Sequence, residues 1–428
     1  MFRVRFTFLF LSFISFLIIA CERPQQQDIS PVTSSPVNIV ATPELNHVTF
    51  YLENSGGMHG YVSELNDFIR VVSEIAQKPR FVTSNPEFDF NFINGTRQLV
   101  VTPIGNRPAD FTSKLNTTDI NVGDISGNDL NAMFQLALGK AGNDSISIFI
   151  SDAIFDIQKQ NTREETLQAL IVEGRETRRQ FIERLNSEEN IQTLLIKLSS
   201  NFRGTYYYAD SFGDQQINQK RPYYIFVFGS SELLNDYFDN DYITNRLPGY
   251  ENHVRFFIPN GAGVQYRPTP HDMIGSFRFS PTNPTTLTRV RSNNNSVFQF
   301  SVAVDFSSIP VTKEYLMNIE NYTVNNNYRL ERIETISSGM ILGALGDVNP
   351  THLLTLRTTS SPSGNLEIQL LNQTPDWIVN SHIDDDSDIL NNTDKTFGFE
   401  YLTNGIVEAY KYVADTDYLT NINIRLER

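Results

Sequence analysis

The segment His47–Gly57 has the sequence HVTFYLENSGG and predicts a β-strand that ends in a tight turn. Aromatic and β-branched residues dominate its first seven positions and favour a strand, which Asn54-Ser55-Gly56-Gly57 interrupts. Beyond the turn, apolar residues recur at helical spacing from Tyr61 to Ala76. A strand that passes through a glycine-rich turn into an amphipathic helix is typical of an α/β fold.

Strand and helix patterns alternate from residue 47 to about residue 245. The predicted elements are strands at 88–92, 98–101, 145–150, 194–208 and 221–229, and helices at 129–140 and 163–185. The first two of these strands form a hairpin at Asn94-Gly95. We therefore assign residues 45–250 to an α/β domain with a mainly parallel sheet and helices on both faces.

The sequence pattern changes after residue 255. Residues 297–306 alternate between apolar and polar side chains, Asn and Thr become frequent, and long helical patterns disappear. We assign residues 255–428 to a β-rich, sandwich-like domain. A helix is predicted near 396–412, where Phe399, Leu402 and Ile406 lie on one face.

The first 21 residues resemble a bacterial lipoprotein signal. Arg3 and Arg5 precede an apolar run, Phe6–Ile19, which is shorter than the roughly 20 residues of a membrane span. The run leads into LIIAC, residues 17–21, which resembles a lipobox. The resemblance implies that residues 1–20 are a signal peptide and that Cys21, the only cysteine, carries lipid chains such as palmitate. An ordinary signal peptide or a membrane anchor with a chance cysteine is the alternative.

Residues 21–44 are rich in Gln, Ser and Pro and predict a flexible tether behind the lipid. No second long apolar stretch follows in the sequence. The expected location is the bacterial cell envelope, outside the cytoplasm, at the periplasmic face or the cell surface, where the lipid on Cys21 contacts the membrane.

The composition excludes two classes of protein. Hydrophobic residues make up 40% of the chain and charged residues 19%, so cores can form and global disorder is excluded. The 49 acidic residues outnumber the 34 basic ones, and the net charge of −15 excludes a nucleic-acid partner, which needs a basic surface. The six histidines show no zinc-binding spacing.

Three polar motifs of the α/β domain are predicted to meet at one edge of its sheet. Glu53-Asn54-Ser55 ends the first strand, Ser151-Asp152 ends another, and Asn128-Asp129 opens a helix. Because the carboxyl ends of parallel strands share an edge, their side chains should lie close together. The set resembles the metal-ion-dependent adhesion site of von Willebrand factor A-type domains.

That resemblance implies a site for Mg²⁺ or Mn²⁺, held by hydroxyl and carboxylate oxygens and completed by a carboxylate of a partner protein. The candidate ligands are Glu53, Ser55, Asn128 and Asp152. The match is degenerate, because Glu53 replaces Asp, Asn128 replaces Thr, Ala153 replaces Gly, and Gly57 replaces a second Ser. A glycine turn at Ser55-Gly56-Gly57 and a helix cap at Asp152 are the structural alternatives.

Two functions are compatible with these features, beside a purely structural role in the envelope. The first is a membrane-anchored, extracytoplasmic lipoprotein that acts as a protein-binding, adhesion-type module. The alternative is an envelope-associated hydrolase with a site around Ser55 and Asp152 and with His59 as the candidate base, although the Gly-x-Ser-x-Gly motif is absent. The acidic run 384–388 predicts a solvated loop, because Ile389 and Lys395 stand where an EF-hand needs Gly and Glu.

We predict that Cys21→Ser releases the protein from the membrane fraction, because the thiol that receives the lipid is lost. Detergent phase partitioning of the native and variant proteins measures the effect, with Ser34→Ala in the tether as the control. Full membrane partitioning of the Cys21→Ser variant would contradict lipidation at this residue.

Overall fold

The segment His47–Glu53 forms a central strand of a seven-stranded mixed sheet. The computed structural model describes residues 44–81, 86–157, 162–187, 189–209, 213–259, 263–337, 339–340 and 342–428, so the signal segment, Cys21 and nearly all of the tether lie outside the described residues. The strands of this sheet are β1 (His47–Glu53), β2 (Glu87–Asn94), β3 (Val100–Gly105), β4 (Ser145–Ser151), β5 (Gln192–Tyr207), β6 (Asp214–Gly229) and β7 (Tyr250–Phe256). Their spatial order is β3-β2-β1-β4-β6-β5-β7.

The sheet is mixed, with two parallel pairings and four antiparallel ones. Strand β1 pairs in parallel with β2 and β4 at its centre. The other four pairings are antiparallel, whereas the sequence predicted a mainly parallel sheet. The main reason is that β5 and β6 form a hairpin, and β6 inserts between β4 and β5. Two antiparallel steps return β5 to the direction of β4, so β1, β2, β4 and β5 end at one edge.

Helices cover both faces of the sheet. They are α1 (Asp67–Gln77), α2 (Pro108–Ser113), α3 (Leu130–Leu138), α4 (Arg163–Leu185), α5 (Ser231–Tyr237) and α6 (Asn240–Arg246). Adjacent residues of β1 enter opposite cores: Phe50 packs with Phe111 of α2, while Tyr51 shares a core with Phe134 of α3. None of the helices in the described ranges is long and apolar enough to cross a membrane.

Local capping residues set the helix boundaries. The Asp129 carboxylate accepts a hydrogen bond from the Ala132 N–H at 2.9 Å and begins α3. A capping box between Thr162 and Glu165 begins α4. Helix α1 begins at Asp67, later than the apolar pattern indicated, because Gly56–Val62 forms a 3-10 helix and Asn66 caps the helix that follows.

Most of the C-terminal strands form two sheets around a third core, and β16 and β17 pair separately in a two-stranded sheet. The elements are β8 (Gln265–Ile274), β9 (Ser276–Phe279), β10 (Thr286–Arg291), β11 (Phe298–Asp305), α7 (Lys313–Met317), β12 (Tyr322–Val324), β13 (Arg329–Thr335), β14 (His352–Thr358), β15 (Gly364–Leu371), α8 (Asp376–Asn380), β16 (His382–Ile383), β17 (Thr396–Phe397), α9 (Phe399–Ala414) and β18 (Tyr418–Leu426). The sheet orders are β12-β15-β18-β10-β9 and β13-β14-β11-β8. Phe300 and Leu354 of one sheet share a core with Ile368 and Ile422 of the other, as in a sandwich.

Helix α9 returns to the first sheet. Leu402, Ile406 and Tyr410 lie in the same core as α3 and α4, and the Tyr410 hydroxyl is 2.9 Å from Thr193 Oγ1 of β5. The described residues after Thr42 form one compact unit. The domain boundary between residues 250 and 255 stays a prediction, and a fragment that ended there would lack α9.

We predict that Gly174→Ala lowers the free energy of unfolding by about 1–3 kcal/mol, although Ala ordinarily favours a helix over Gly by about 0.5–1 kcal/mol. A methyl group at Gly174 in α4 would lie 2.7 Å from the carbonyl oxygen of Tyr401 in α9. Urea denaturation measures the change, with Gln168→Ala on the exposed side of α4 as the control. A variant as stable as the native protein would contradict this close helix contact.

Candidate functional site

A fully buried glutamate, Glu53, lies at the carboxyl edge of the sheet. It is the last residue of β1, between β2 and β4, and its exposed fraction is 0%. Its Oε1 accepts hydrogen bonds from Ser55 Oγ at 2.6 Å and from Asn128 Nδ2 at 2.7 Å. Its Oε2 accepts a hydrogen bond from Ser151 Oγ. Three segments that are distant in the sequence therefore meet at one carboxylate.

Asp152 is the second carboxylate at this edge. It directly follows β4 and is 6% exposed. A Cβ atom at Gly57 would lie 3.3 Å from Asp152 Oδ2 and 3.8 Å from Ser55 Oγ, so position 57 faces the space between these two side chains. Glu53, Ser55, Asn128 and Asp152, which the sequence grouped by strand ends, thus occupy one cluster.

Two buried asparagines hold the loop that leads to Asn128. Asn54 Nδ2 donates to the carbonyl oxygens of Ile120 and Val122, both at 2.9 Å. Asn94 Nδ2 donates to the Val122 carbonyl at 2.6 Å. Asn54 follows β1 and Asn94 ends β2, so each strand fastens the loop. Neither asparagine was a predicted site residue, although the position of each at a strand end carried the signal.

Burial raises the pKa of both carboxyl groups. The pKa of Glu53 rises from about 4.5 to about 7, first because burial removes water from the carboxylate and then because Asp152 repels its charge. The hydrogen bonds from Ser151, Ser55 and Asn128 oppose that rise. Burial also raises the pKa of Asp152 to about 6, against the favourable charge of Arg221. Both carboxyl groups therefore keep their protons to a higher pH than exposed carboxyl groups do.

Arg221, which was not a predicted site residue, brings a buried guanidinium to this edge. The residue is 1% exposed and lies three positions before Tyr224, the partner of Ser151 in the β4–β6 pairing. Its guanidinium carbon is 4.7 Å from the ring centroid of Tyr206 and 5.8 Å from that of Phe202. The sequence pattern started this strand at Arg221, but β6 begins at Asp214, and no local signal indicated burial of the charge.

A two-stranded arm projects over the cluster. Strand β5 pairs with β7 only as far as Leu198, and β6 pairs with β4 only from Tyr224 onward. The remaining halves of β5 and β6 pair with each other alone. The arm packs against the 3-10 helix, where a Cβ atom at Gly204 would lie 2.7 Å from Gly60 Cα. Only glycines allow backbones to approach this closely.

The arm and the strand ends enclose a cavity of about 300 Å³, which we call the edge cleft. Its polar lining includes Ser55, Asn128, Asp152 and Arg221. Its aromatic lining consists of Phe155, Phe202, Tyr206, Tyr207 and Tyr208. Tyr207 is 51% exposed, so the cleft is accessible from solvent beside this ring.

No histidine of the described residues contacts the Ser55 hydroxyl. Ser55 Oγ donates to Glu53, while His59 Nε2 is buried without a hydrogen-bond partner. The alternative hydrolase would need a base that removes the Ser55 proton. The geometry of the described residues offers Glu53 for that contact and does not offer His59.

A separate group of possible metal ligands lies in the C-terminal sheets. Ligand atoms of His271, Asp272 and Glu334 are within 4.8 Å of one another. Arg332 pairs with Asp272 and, at 2.7 Å, with Glu334. The guanidinium already balances these carboxylates, so ion pairing accounts for the group.

The acidic run 384–388 is not wholly solvated, in contrast to the sequence prediction. Asp386 is 2% exposed and accepts hydrogen bonds from the Tyr206 hydroxyl at 2.9 Å and the Ala209 N–H at 3.0 Å. Asp384 pairs with Arg163 at 3.1 Å. Asp386 thus holds the end of β5 beside the edge cleft, a contact that only the tertiary structure reveals.

Comparisons with known proteins do not assign the chain to a family. No protein-family model matches it, and no curated protein is similar to it in sequence.

We predict that Glu53→Gln removes part of the pH dependence of stability. The pKa of Glu53 is higher in the folded chain than in the unfolded chain, so its contribution to stability is complete below about pH 4.5 and is lost as the pH rises through about 7. The native protein should lose up to about 3 kcal/mol more than the variant between about pH 5 and pH 8.

Urea denaturation at several pH values measures this difference. Glu64→Gln, at an exposed glutamate, is the matched control and should follow the native curve. Parallel curves for the native protein and Glu53→Gln would show that Glu53 titrates alike in both states.

Proposed function

We propose that this chain is a membrane-anchored, extracytoplasmic lipoprotein that binds a protein partner through the edge cleft, as a von Willebrand factor A-like module. The observation that carries the proposal is the convergence of Glu53, Ser55, Asn128 and Asp152 beside an open, aromatic-lined cavity. Ligands of doubly wound sheets bind outside the carboxyl ends of the strands, where this cleft lies.

The order of strands supports the von Willebrand A-like part of the proposal. Strand β1 lies between the parallel strands β2 and β4, and the predicted site motifs follow β1 and β4. The inserted β6 is a departure, and it supplies Arg221 and one side of the aromatic arm. The inserted strand β6 therefore adds binding surface to the edge where the predicted site residues lie.

The hydrogen bonding of the Ser55 hydroxyl favours a binding role over hydrolysis. Its hydroxyl donates to a buried carboxylate that already accepts two other hydrogen bonds, and this network holds the side chain in place. An envelope hydrolase acting through Ser55 and Asp152 remains the alternative proposal. Labelling of Ser55 by a fluorophosphonate probe would support that alternative.

Mg²⁺ or Mn²⁺ is a second candidate ligand of the cluster. Glu53, Ser55, Asn128 and Asp152 would hold it, and the space that a side chain at Gly57 would enter lies between two of them. The fit is partial, because Glu53 already accepts three hydrogen bonds and Gly57 contributes no hydroxyl. We therefore propose that partner binding does not depend on a resident metal ion.

We predict that a photo-cross-linking residue at Tyr207, beside the cleft, captures one discrete partner in native envelope membranes. The same residue at Val172, which is 58% exposed on α4, should not capture it. Combining the Tyr207 probe with Asp152→Asn should reduce capture about tenfold or more, because a buried charge that faces the partner is lost.

Asp124→Asn is the matched control, since Asp124 is exposed and does not line the cleft. Equal capture from Val172 and Tyr207, or no capture from Tyr207, would refute partner binding at the edge cleft.

A further inference from the structure

We infer that the edge cleft binds a positively charged side chain, a lysine or an arginine, that the partner protein presents. The inference rests on the proposed function, since it names the chemical group by which the partner is recognised. The resemblance to von Willebrand A-type domains implies the opposite group, a carboxylate of the partner that completes a metal site. The contacts that favour a cation are those of Asn128, Asp152 and the aromatic arm.

The amide of Asn128 leaves one buried acceptor without a donor. Asn128 is 8% exposed and lines the edge cleft. Its Nδ2 donates to Glu53 Oε1 at 2.7 Å and to the Ile154 carbonyl at 3.3 Å. These bonds fix the amide, because a flip would turn Oδ1 toward a carboxylate oxygen. Among the described residues, Oδ1 accepts no hydrogen bond, so a ligand that donates an N–H group is favoured.

The Asp152 carboxylate lacks a side-chain donor. It accepts a hydrogen bond from the Ile154 N–H at 3.3 Å, and no side chain of the described residues donates to it or forms an ion pair with it. Glu53 adds a second buried carboxylate next to it, while Arg221 is the buried cation of the cleft lining. Asp152 and the exposed Asp156 both line the cleft, so carboxylates outnumber the guanidinium of Arg221 and a further positive charge is attracted to the cleft.

The aromatic lining also suits a cation. Faces of Phe and Tyr rings attract ammonium and guanidinium groups. The guanidinium carbon of Arg221 already lies 4.7 Å from the centroid of Tyr206, so the arm accepts a cation of this kind. Tyr207 is half-exposed beside the opening, where an entering side chain would contact it. A volume of about 300 Å³ is at the small end for ligand pockets and suits a single side chain.

An anion and a divalent metal ion fit this lining less well. Arg221 Nη1 also lacks a hydrogen-bond partner, but an anion there would approach two buried carboxylates. Mg²⁺ demands octahedral oxygen coordination, and Glu53 is already engaged by three hydrogen bonds, which leaves Asn128 Oδ1 and the carboxylates of Asp152 and Asp156 in the cleft. An ammonium or guanidinium group requires only these acceptors and the ring faces.

The test is isothermal titration calorimetry of the full chain in detergent. The probes are N-acetyl-lysine methylamide, its arginine, norleucine and glutamate counterparts, and MgCl₂ or MnCl₂ alone. We expect the lysine or arginine probe to bind with a Kd below about 10 mM and at least about tenfold more tightly than the uncharged norleucine probe.

Two variants and a control locate the binding. Asp152→Asn should weaken the cationic probe about tenfold, and Tyr207→Leu, at a half-exposed ring, should weaken it about threefold. Asp124→Asn should leave the affinity unchanged. Because Tyr207→Leu alters a half-exposed side chain, it tests the inference even if Asp152→Asn does not fold.

Three results would overturn the inference: equal binding of the lysine and norleucine probes, tighter binding of the glutamate probe, or binding of Mg²⁺ or Mn²⁺ without binding of either cationic probe. Cross-linking at Tyr207 separates this inference from the proposed function. Capture of a partner without binding of a cationic probe would refute the inference and leave the proposed function standing. Binding of a cationic probe without capture would refute the proposed protein partner.

Discussion

The burial of the Glu53 carboxylate is the constraint on which the edge of the sheet depends. A buried carboxylate without partners would destabilise the fold by several kcal/mol or take up a proton. Ser55, Asn128 and Ser151 each donate to it, from the turn after β1, the loop before α3 and the end of β4. The turn at Gly56-Gly57 must therefore be tight, and the loop before α3 must reach the end of β1. The same contacts that satisfy Glu53 also place the polar lining of the cleft.

Residues from the C-terminal half of the chain contact the first sheet and the aromatic arm at this edge. Asp386 accepts a hydrogen bond from Tyr206 and so fixes one ring of the aromatic arm. Helix α9 covers the face of the sheet opposite α1, and the Thr396 hydroxyl is 2.9 Å from the Tyr224 hydroxyl in β6. The cleft is therefore a product of the whole folded chain, and the β-rich segment does more than separate the first sheet from its surroundings.

The sequence predicted those parts of the structure that local patterns determine. Strand β1 and helix α4 occupy the predicted residues, because side-chain periodicity and capping act over a few positions. The contact between Glu53 and Asn128 could also be predicted from the sequence, because the carboxyl ends of parallel strands lie at the same edge of a sheet. The sequence did not predict the insertion of β6, the burial of Arg221 or the contact between Asp386 and Tyr206. Each of these depends on which distant segments pair. Local polarity predicted a solvated position for Asp386, and nothing local indicated that Arg221 is buried.

Charge balance connects Gly57 with Arg221. In the proposed resemblance to an adhesion site, Gly57 takes the position of a second hydroxyl, and Arg221 on the inserted strand brings a fixed positive charge toward Asp152. A guanidinium carries one positive charge, whereas a divalent ion carries two. Arg221 therefore neutralises the negative charge of the carboxylates only in part. Burial raises the pKa of Asp152 despite this guanidinium, and the Asn128 oxygen still lacks a donor. An edge with these acids, a single guanidinium and no hydroxyl at position 57 therefore suits the positively charged partner side chain that we propose.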